Sequence, residues 1–228
     1  MPAEFDGYAA AGYGKLLRDP LRDNFAGSRF FFERKLTLLR ELYEQYSKPT
    51  QSAIWLDVGC GEGTLLQIGR QYFSEVAGCD VSAAMLQRCE HLNIRVQLSP
   101  REIPFHDGSF DLVTAACVYH HVDTADLFAL TADISRVLRP KGMLCVIEHN
   151  PLNPVTRLIV RRSPIDRYAH LLTAGKIRRL ARAAGMEILA TRYFLYFPER
   201  LYSTLAAAEA KLSALPLGGQ YAVLCQKA

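Results

Sequence analysis

A run of glycines that follows a carboxylate is the part of the sequence best suited to chemistry. In "WLDVGCGEGTLL" (55–66), glycine occupies every second position from Gly59 to Gly63, just after an apolar run that contains Asp57. Such a loop between a strand and a helix lets backbone amides approach a nucleotide. The dinucleotide fingerprint needs a further glycine where Thr64 stands. The spacing therefore weakens an assignment as a pyrophosphate-binding loop.

Two carboxylates end neighbouring predicted strands and indicate a different ligand. Asp57 would repel a diphosphate and favours a cationic group. Asp80 comes 17 residues after Gly63, and an acid at that place accepts hydrogen bonds from both hydroxyls of an adenosine ribose. Together the two acids predict a nucleoside ligand that carries positive charge near the glycine loop.

The elements that must position these residues follow a regular alternation. From residue 53 onward, short apolar, β-rich segments alternate with helical patterns, which predicts a largely parallel sheet covered on both faces. The predicted strands are 53–58, 75–80, 94–98, 110–117, 143–149, 186–197 and a closing strand after Gly218 and Gly219. Ligands of such sheets bind at the carboxyl ends of the strands. We therefore expect the residues that follow each strand to share one site.

Five motifs in a fixed order extend this pattern over residues 53–149. They are "LDVGCGEG", "GCDVS", "IPFHDGSFDLV", "VYHHV" and "RVLRPKGMLCVIEH". In this order and spacing the chain resembles the class I S-adenosylmethionine-dependent methyltransferases. The resemblance implies an α/β, doubly wound, Rossmann-like sheet of seven strands in three αβα layers, with the last strand antiparallel. Residues 1–50 are expected to form an N-terminal helical lid and 51–228 the catalytic domain, with an insertion at 150–172, all as one structural unit.

The resemblance also implies the cofactor and the residues that contact it. S-adenosyl-L-methionine is the expected cofactor and S-adenosyl-L-homocysteine the product. The expected contacts are Asp57, Gly59, Cys60, Gly61, Asp80, Val81, Met85, Ser99, Pro100, Arg101, Cys117 and Tyr13. One position departs from the family pattern, because Ser99 stands where many relatives have an aspartate for the adenine amino group. Tyr8 and Tyr13 are expected either to close the site or to pack within the lid.

Histidines after the fourth and fifth predicted strands are candidates for a catalytic base. Methyl transfer mainly requires alignment of the reactants, together with removal of a proton when the acceptor is a hydroxyl or an amine. His149 is the preferred base and His121 the second candidate, with structural support of the loop as the alternative for His121. The six cysteines are expected to be reduced structural thiols, and the alternative for Cys117, which lies beside the histidines, is a catalytic nucleophile. No metal site is predicted, because the spacing of Cys and His matches no known ligand pattern.

The acceptor is predicted only by class. The stretch from Arg157 to Arg182 contains eight Lys or Arg residues and one acid. This excess of positive charge indicates either a solvated basic face or an anionic partner. The expected reaction is O-methylation of a small molecule, namely an acidic, phosphorylated or sugar-derived metabolite. The alternatives are N-methylation of a small molecule or protein, a non-catalytic S-adenosylmethionine-binding module, and an NAD-dependent oxidoreductase. A nucleic-acid acceptor is not expected, because no Asn/Asp-Pro-Pro-aromatic motif is present.

The remaining features predict a cytoplasmic protein. The N-terminal residues carry early acids and do not resemble a secretory signal. No window of the sequence approaches 18 uninterrupted apolar residues, so no transmembrane segment is expected. A monomer and a homodimer are both compatible with the sequence.

Overall fold

Seven strands form one mixed sheet in the computed structural model, which describes residues 5–8, 12, 16, 23, 27–89 and 91–228. The strands are β1 (Ile54–Val58), β2 (Glu75–Asp80), β3 (Asn93–Val96), β4 (Phe110–Ala116), β5 (Leu138–His149), β6 (Met186–Phe194) and β7 (Gln220–Lys227). Their order across the sheet is β3-β2-β1-β4-β5-β7-β6. Strands β1 to β5 pair in parallel, and β7 is antiparallel to both β5 and β6. The predicted fold class, including the antiparallel last strand, is confirmed.

Helices cover both faces of this sheet. They are α1 (Ser28–Tyr46), α2 (Thr64–Gly69), α3 (Ala83–Leu86), α4 (Leu127–Val137), α5 (Pro154–Arg162), α6 (Ala174–Ala183) and α7 (Glu199–Leu212). Successive strand residues point to opposite faces, so Trp55 and Leu56 belong to two different buried clusters. The three αβα layers follow from this alternation.

Two strand boundaries differ from the predicted ones by three residues or more. β5 begins at Leu138, which pairs with Phe110 across an irregular register, rather than at Met143. β6 ends at Phe194 instead of residue 197, because Leu195 has a φ of +61°. The left-handed backbone of Leu195 turns the chain out of its extended path, and the strand ends at that point.

The topology reverses at β1, which has β2 on one side and β4 on the other. Open α/β sheets bind ligands at such a switch point. The loop after β1 is therefore positioned by the strand order, and α5 lies in the segment that follows β5 on the same edge. Within the described residues, no helix combines the length and the apolar character needed to span a bilayer.

Residues 5–8 lie against this edge and connect two of its loops. The Asp6 carboxylate accepts a hydrogen bond from the Ser82 hydroxyl (2.6 Å), and the Tyr8 hydroxyl donates to the Pro164 carbonyl (3.2 Å). These contacts agree with a segment that covers the carboxyl edge of the sheet. The role of residues 1–50 as a lid, and the bounds of the catalytic domain at 51–228 with its insertion at 150–172, stay predictions.

Candidate active site

A cavity of about 960 Å³ opens at the carboxyl edge of β1, β2, β4 and β5. The glycine loop forms one wall, and residues of α1 and α5 form others. Its size is at the upper end of the range for small-molecule sites. The cavity brings together most of the residues that the sequence singled out.

The glycine loop has a conformation that side chains would not tolerate. Gly59 has a φ of +70°, and a Cβ atom there would lie 2.4 Å from Cγ2 of Val118. The Gly61 N–H donates to Oδ2 of Asp80 (2.8 Å), so the loop is folded onto the end of β2. The loop can approach a ligand closely because it presents backbone rather than side chains.

Asp57 and Asp80 are both buried at the cavity wall. Burial raises the pKa of Asp57 to about 7, although a hydrogen bond from Thr114 and the charge of Lys35 oppose this. The Thr114 hydroxyl donates to Oδ1 of Asp57 over 2.6 Å. Burial also raises the pKa of Asp80, whose Oδ1 accepts from the N–H of Ser82 (2.9 Å). A cation beside Asp57 would stabilise its ionised form.

The structure places nine of the expected cofactor contacts on the cavity wall. They are Asp57, Gly59, Cys60, Gly61, Asp80, Val81, Met85, Pro100 and Cys117. Ser99 and Arg101 are not part of the lining: the Ser99 hydroxyl accepts from the N–H of Arg101 (3.2 Å), and the Arg101 guanidinium pairs with Asp126 (2.7 Å). Tyr13 lies outside the described residues. Gln97 lines the cavity and was not anticipated.

Cys117 lies in a polar cluster that sequence spacing could not reveal. Its φ is +61°, an unusual backbone conformation for a residue with a side chain. The Lys35 ammonium donates to its Sγ (3.3 Å) and the Gln220 amide lies 3.7 Å away. Burial opposes ionisation of the thiol, but Lys35 and His149 outweigh it and lower the pKa of Cys117 to about 6. Lys35 precedes Cys117 by 82 residues, so no local motif joins them.

His120 is held between two carboxylates. Its Nδ1 lies 2.5 Å from Oε2 of Glu148, and its Nε2 lies 3.3 Å from Oδ1 of Asp166. Burial alone would lower the pKa of His120, but Glu148 and Asp166 raise it to about 10. The other oxygen of Glu148 accepts from the N–H groups of Val118 (2.9 Å) and Tyr119 (2.7 Å). An imidazolium at His120 therefore fixes the loop after β4.

The two candidate bases both lie next to His120. Its ring centroid is 4.1 Å from that of His121 and 5.3 Å from that of His149. Burial, together with the charge of His120, lowers the pKa of His121 to about 4. Nδ1 of His149 lies 3.5 Å from the amide nitrogen of Gln220. Both rings line the cavity, which agrees with their expected place at the ligand edge.

Folding also gathers donor atoms that the sequence spacing did not connect. One donor atom each of His120, His121 and Asp166 lies within 4.8 Å of the others. Both ring nitrogens of His120 already face carboxylates. Asp166 belongs to the segment after β5, and His120 lowers its pKa against the effect of burial. We interpret the group as a hydrogen-bonded ion cluster that ties this segment to β4.

Comparison with known proteins agrees with this geometry. The model of the methyltransferase domain family matches residues 56–146. A solved S-adenosylmethionine-dependent methyltransferase from Thermotoga maritima, described as a possible histamine N-methyltransferase, superposes over 100% of both chains with a TM-score of 0.69 and 14% identity.

Residues 56–146 form a methyltransferase domain of the class I S-adenosylmethionine-dependent type.

Curated relatives of this chain include two named enzymes. The demethylmenaquinone methyltransferase of Tropheryma whipplei is 36% identical over 98 residues, which cover 41% of this chain and 40% of the relative. The ubiquinone biosynthesis O-methyltransferase of Bordetella avium is 27% identical over 65% of this chain and 68% of the relative. The matched segments span about half or less of the length of several other curated relatives.

The residues of the cavity fit S-adenosylmethionine, the cofactor of this family. Each carboxylate oxygen of Asp80 accepts a hydrogen bond from one backbone N–H group. Each oxygen keeps a further lone pair, which can accept a hydrogen bond from one hydroxyl of a ribose diol. The raised pKa of Asp57 reflects a buried carboxyl without a full counter-charge, which the cationic amino acid part of the cofactor would supply. Gly59 and Gly61 have no side chains, so the cavity wall leaves room there for that part of the ligand.

Proposed function

We propose that this methyltransferase transfers a methyl group from S-adenosylmethionine to a hydroxyl of a small molecule. The observation that carries the proposal is that His149 and His121 line the same cavity as the glycine loop, Asp57 and Asp80. The bound cofactor supplies an electrophilic methyl group. The protein has to orient the acceptor and take its proton, which are the two tasks that these side chains fit.

His149 is the proposed base, with His121 in a supporting role. The pKa of His121, lowered to about 4, makes that ring a weak proton acceptor at neutral pH. His149 ends β5 and lies beside Gln220, whose Oε1 is buried and has no hydrogen-bond partner among the described residues. An acceptor hydroxyl or amide that donates to this oxygen would lie within the reach of His149. Gln220 is thus a proposed acceptor-positioning residue.

The cavity wall supports an acceptor with an apolar body. Phe5, Phe31, Phe32, Ile159 and Ile165 contribute to the lining. The predicted anionic or sugar-derived acceptor rested on the basic segment, yet none of its Lys or Arg residues belongs to the lining. The names of the demethylmenaquinone and ubiquinone relatives favour a small organic acceptor. Hydroxylated aromatic compounds are therefore the first class to test.

The test combines cofactor binding with turnover. Calorimetry with S-adenosylhomocysteine measures binding, and release of S-adenosylhomocysteine from S-adenosylmethionine measures transfer to a panel of phenols and quinols. For an accepted compound, His149→Gln should lower kcat about 100-fold and leave cofactor affinity unchanged. His106→Gln, at an exposed histidine outside the cavity lining, is the matched control and should retain full activity.

Other outcomes identify the competing functions. Cofactor binding without transfer to an oxygen acceptor, but with transfer to amines, would replace O-methylation by N-methylation. Binding without any transfer would favour a non-catalytic module. Tight NADH binding in the absence of S-adenosylhomocysteine binding would reject the proposal altogether.

A further inference from the structure

The outer face of α5 exposes apolar side chains among arginines, and the proposed reaction does not use it. Val155 and Leu158 are each 48% exposed. At 3.6 residues per turn they share one side of the helix, with Arg161 and Arg162 next to them. Thr156 and Val160 on the opposite side are buried and attach α5 to the body. Burial of its inner face therefore does not explain the apolar residues that α5 presents to solvent.

A loop before β7 extends this apolar face. The Asn153 amide donates to the Leu217 carbonyl (2.7 Å), so the loop is held against the start of α5. Leu217 is 60% exposed, Leu215 46% and Leu152 57%. We call the combined surface the docking face. Its members are Leu152, Val155, Leu158, Leu215 and Leu217 with Arg157, Arg161, Arg162 and Arg167, all of them exposed.

We propose that the docking face binds the surface of an anionic lipid bilayer. Interfacial helices insert an apolar side to the depth of the headgroups while flanking cations contact lipid phosphates. Contiguous exposed apolar side chains of this kind mark interaction sites, whereas single ones do not. Residues 154–169 contain one acid, Asp166, and its carboxylate is already paired with His120. The face is therefore positively charged and complements phosphatidylglycerol-type headgroups.

Two other occupants fit this surface less well. A symmetric dimer brings the same patch of both copies together, so the arginines of one copy would face those of the other. A nucleic-acid backbone would match the arginines, but it would leave five exposed apolar side chains without a partner. Lipid satisfies the charged and the apolar members at once.

The docking face borders the cavity. Asn153, Val155, Thr156 and Ile159 belong to the cavity lining, and Val155 is also a member of the docking face. A molecule dissolved in the bilayer would therefore reach the cavity without crossing water. This consequence rests on the proposed function, whereas lipid binding itself does not.

Vesicle flotation with the full chain tests the proposal. We expect binding to vesicles of equal parts phosphatidylglycerol and phosphatidylcholine, and much weaker binding to phosphatidylcholine alone or at high salt. The double variant Leu158→Asp/Leu217→Asp, at two members of the docking face outside the cavity lining, should bind at least about tenfold more weakly, because two side chains lose their burial in lipid. Arg157→Gln and Arg161→Gln should each cost about fivefold.

Matched controls lie on exposed positions elsewhere. Phe128→Asp replaces an exposed apolar residue of α4, and Arg70→Gln replaces an exposed arginine after α2; both should bind vesicles like the parent. Retained S-adenosylhomocysteine affinity shows that each variant is folded. If the aspartates unfold the helix, Arg157→Gln and Arg161→Gln still test the proposal.

Three results would overturn the proposal. They are absence of flotation with anionic vesicles, equal binding by the docking-face variants, and a dimer in sedimentation velocity that Leu158→Asp dissociates while vesicles stay unbound. Loss of methyl transfer with intact vesicle binding would reject only the proposed function.

Discussion

The buried carboxyl group of Asp57 makes the charge of the site depend on pH near neutrality. Its pKa of about 7 in the free protein means that much of it is neutral at pH 6 and ionised at pH 8. A cationic ligand attracts only the ionised form. Binding of such a ligand therefore has to include release of a proton at the lower pH.

We expect the affinity for S-adenosylhomocysteine to fall about tenfold from pH 8 to pH 6, since one pH unit below the pKa corresponds to about 1.4 kcal/mol. Calorimetry in buffers of different ionisation enthalpy measures both the affinity and the proton released. Asp57→Asn should bind weakly with no such pH dependence, while Asp107→Asn on the surface should behave like the parent. Equal pH dependence in Asp57→Asn would contradict the assignment.

Cys117 gives a second prediction that depends on one side chain. With its pKa lowered to about 6 and its side chain at the cavity wall, it should react with iodoacetamide before the other cysteines. The reaction rate should be half-maximal near pH 6 because the thiolate is the nucleophile. Peptide mass spectrometry identifies the labelled position over a pH series.

Two variants separate the cause of this reactivity. Lys35→Met should move the half-maximal pH upward, since the ammonium that stabilises the thiolate is removed. Cys117→Ser should abolish the fast labelling, and S-adenosylhomocysteine should protect the parent protein. Fast labelling at Cys89, or a midpoint near the usual thiol value of about 8.5, would contradict the prediction.

Sequence reasoning located the strand-end residues but not their partners. Asp57, Asp80 and His149 end predicted strands, and parallel strands bring such ends to one edge. Lys35 and Asp166 lie on other elements, 82 residues before Cys117 and 46 residues after His120. Their positions depend on how α1 and the segment after β5 pack, which a local pattern does not encode. Ser99 was chosen by family position alone, and its hydroxyl turned out to stabilise its own loop.

Helices α1 and α7 are joined by a buried ion pair. The Arg34 guanidinium donates to Oε1 of Glu209 over 2.7 Å, and the two side chains are 12% and 4% exposed. The second oxygen of Glu209 accepts from the N–H of Tyr196 (2.9 Å). This carboxylate therefore connects both helices to the end of β6.

Replacing Glu209 by Gln should lower the free energy of unfolding by about 3 kcal/mol, because it leaves a nearly buried arginine without its counter-charge. Urea denaturation measures the change. The matched control is Glu33→Gln, which breaks the exposed pair with Arg29 (2.6 Å) and should leave the urea midpoint unchanged. Similar effects of the two variants would show that Arg34 gains no stabilisation from Glu209.

The alternation of apolar segments predicted the strands better than it predicted their ends. β1 and β2 were expected within one residue of their observed bounds, because both are short runs in which most buried residues are apolar. The start of β5 was missed, since Lys141 has a φ of +63° and the "RPKG" sequence is typical of a turn. Backbone pairing to β4 extends the strand through this irregular segment, and such tertiary pairing overrides local preference.

The whole molecule unfolds as one unit if both layers depend on the same sheet. Trp55 is the only tryptophan of the chain, and it belongs to the buried cluster on one face while Leu56 belongs to that on the other. Its indole N–H donates to the Thr114 hydroxyl (2.8 Å), which in turn donates to Asp57. The fluorescence of Trp55 therefore reports the core next to the cofactor wall.

We expect the urea transitions followed by Trp55 fluorescence and by far-ultraviolet circular dichroism to coincide, because neither helical layer keeps a core once the sheet is lost. S-adenosylhomocysteine at 100 times its Kd should raise the free energy of unfolding by about 2.7 kcal/mol in both signals. Asp80→Ala should lose most of this gain while keeping one transition. A fluorescence midpoint that shifts with ligand while the circular dichroism midpoint stays fixed would instead show that the cofactor wall and the remaining helices unfold separately, and the single structural unit would have to be divided.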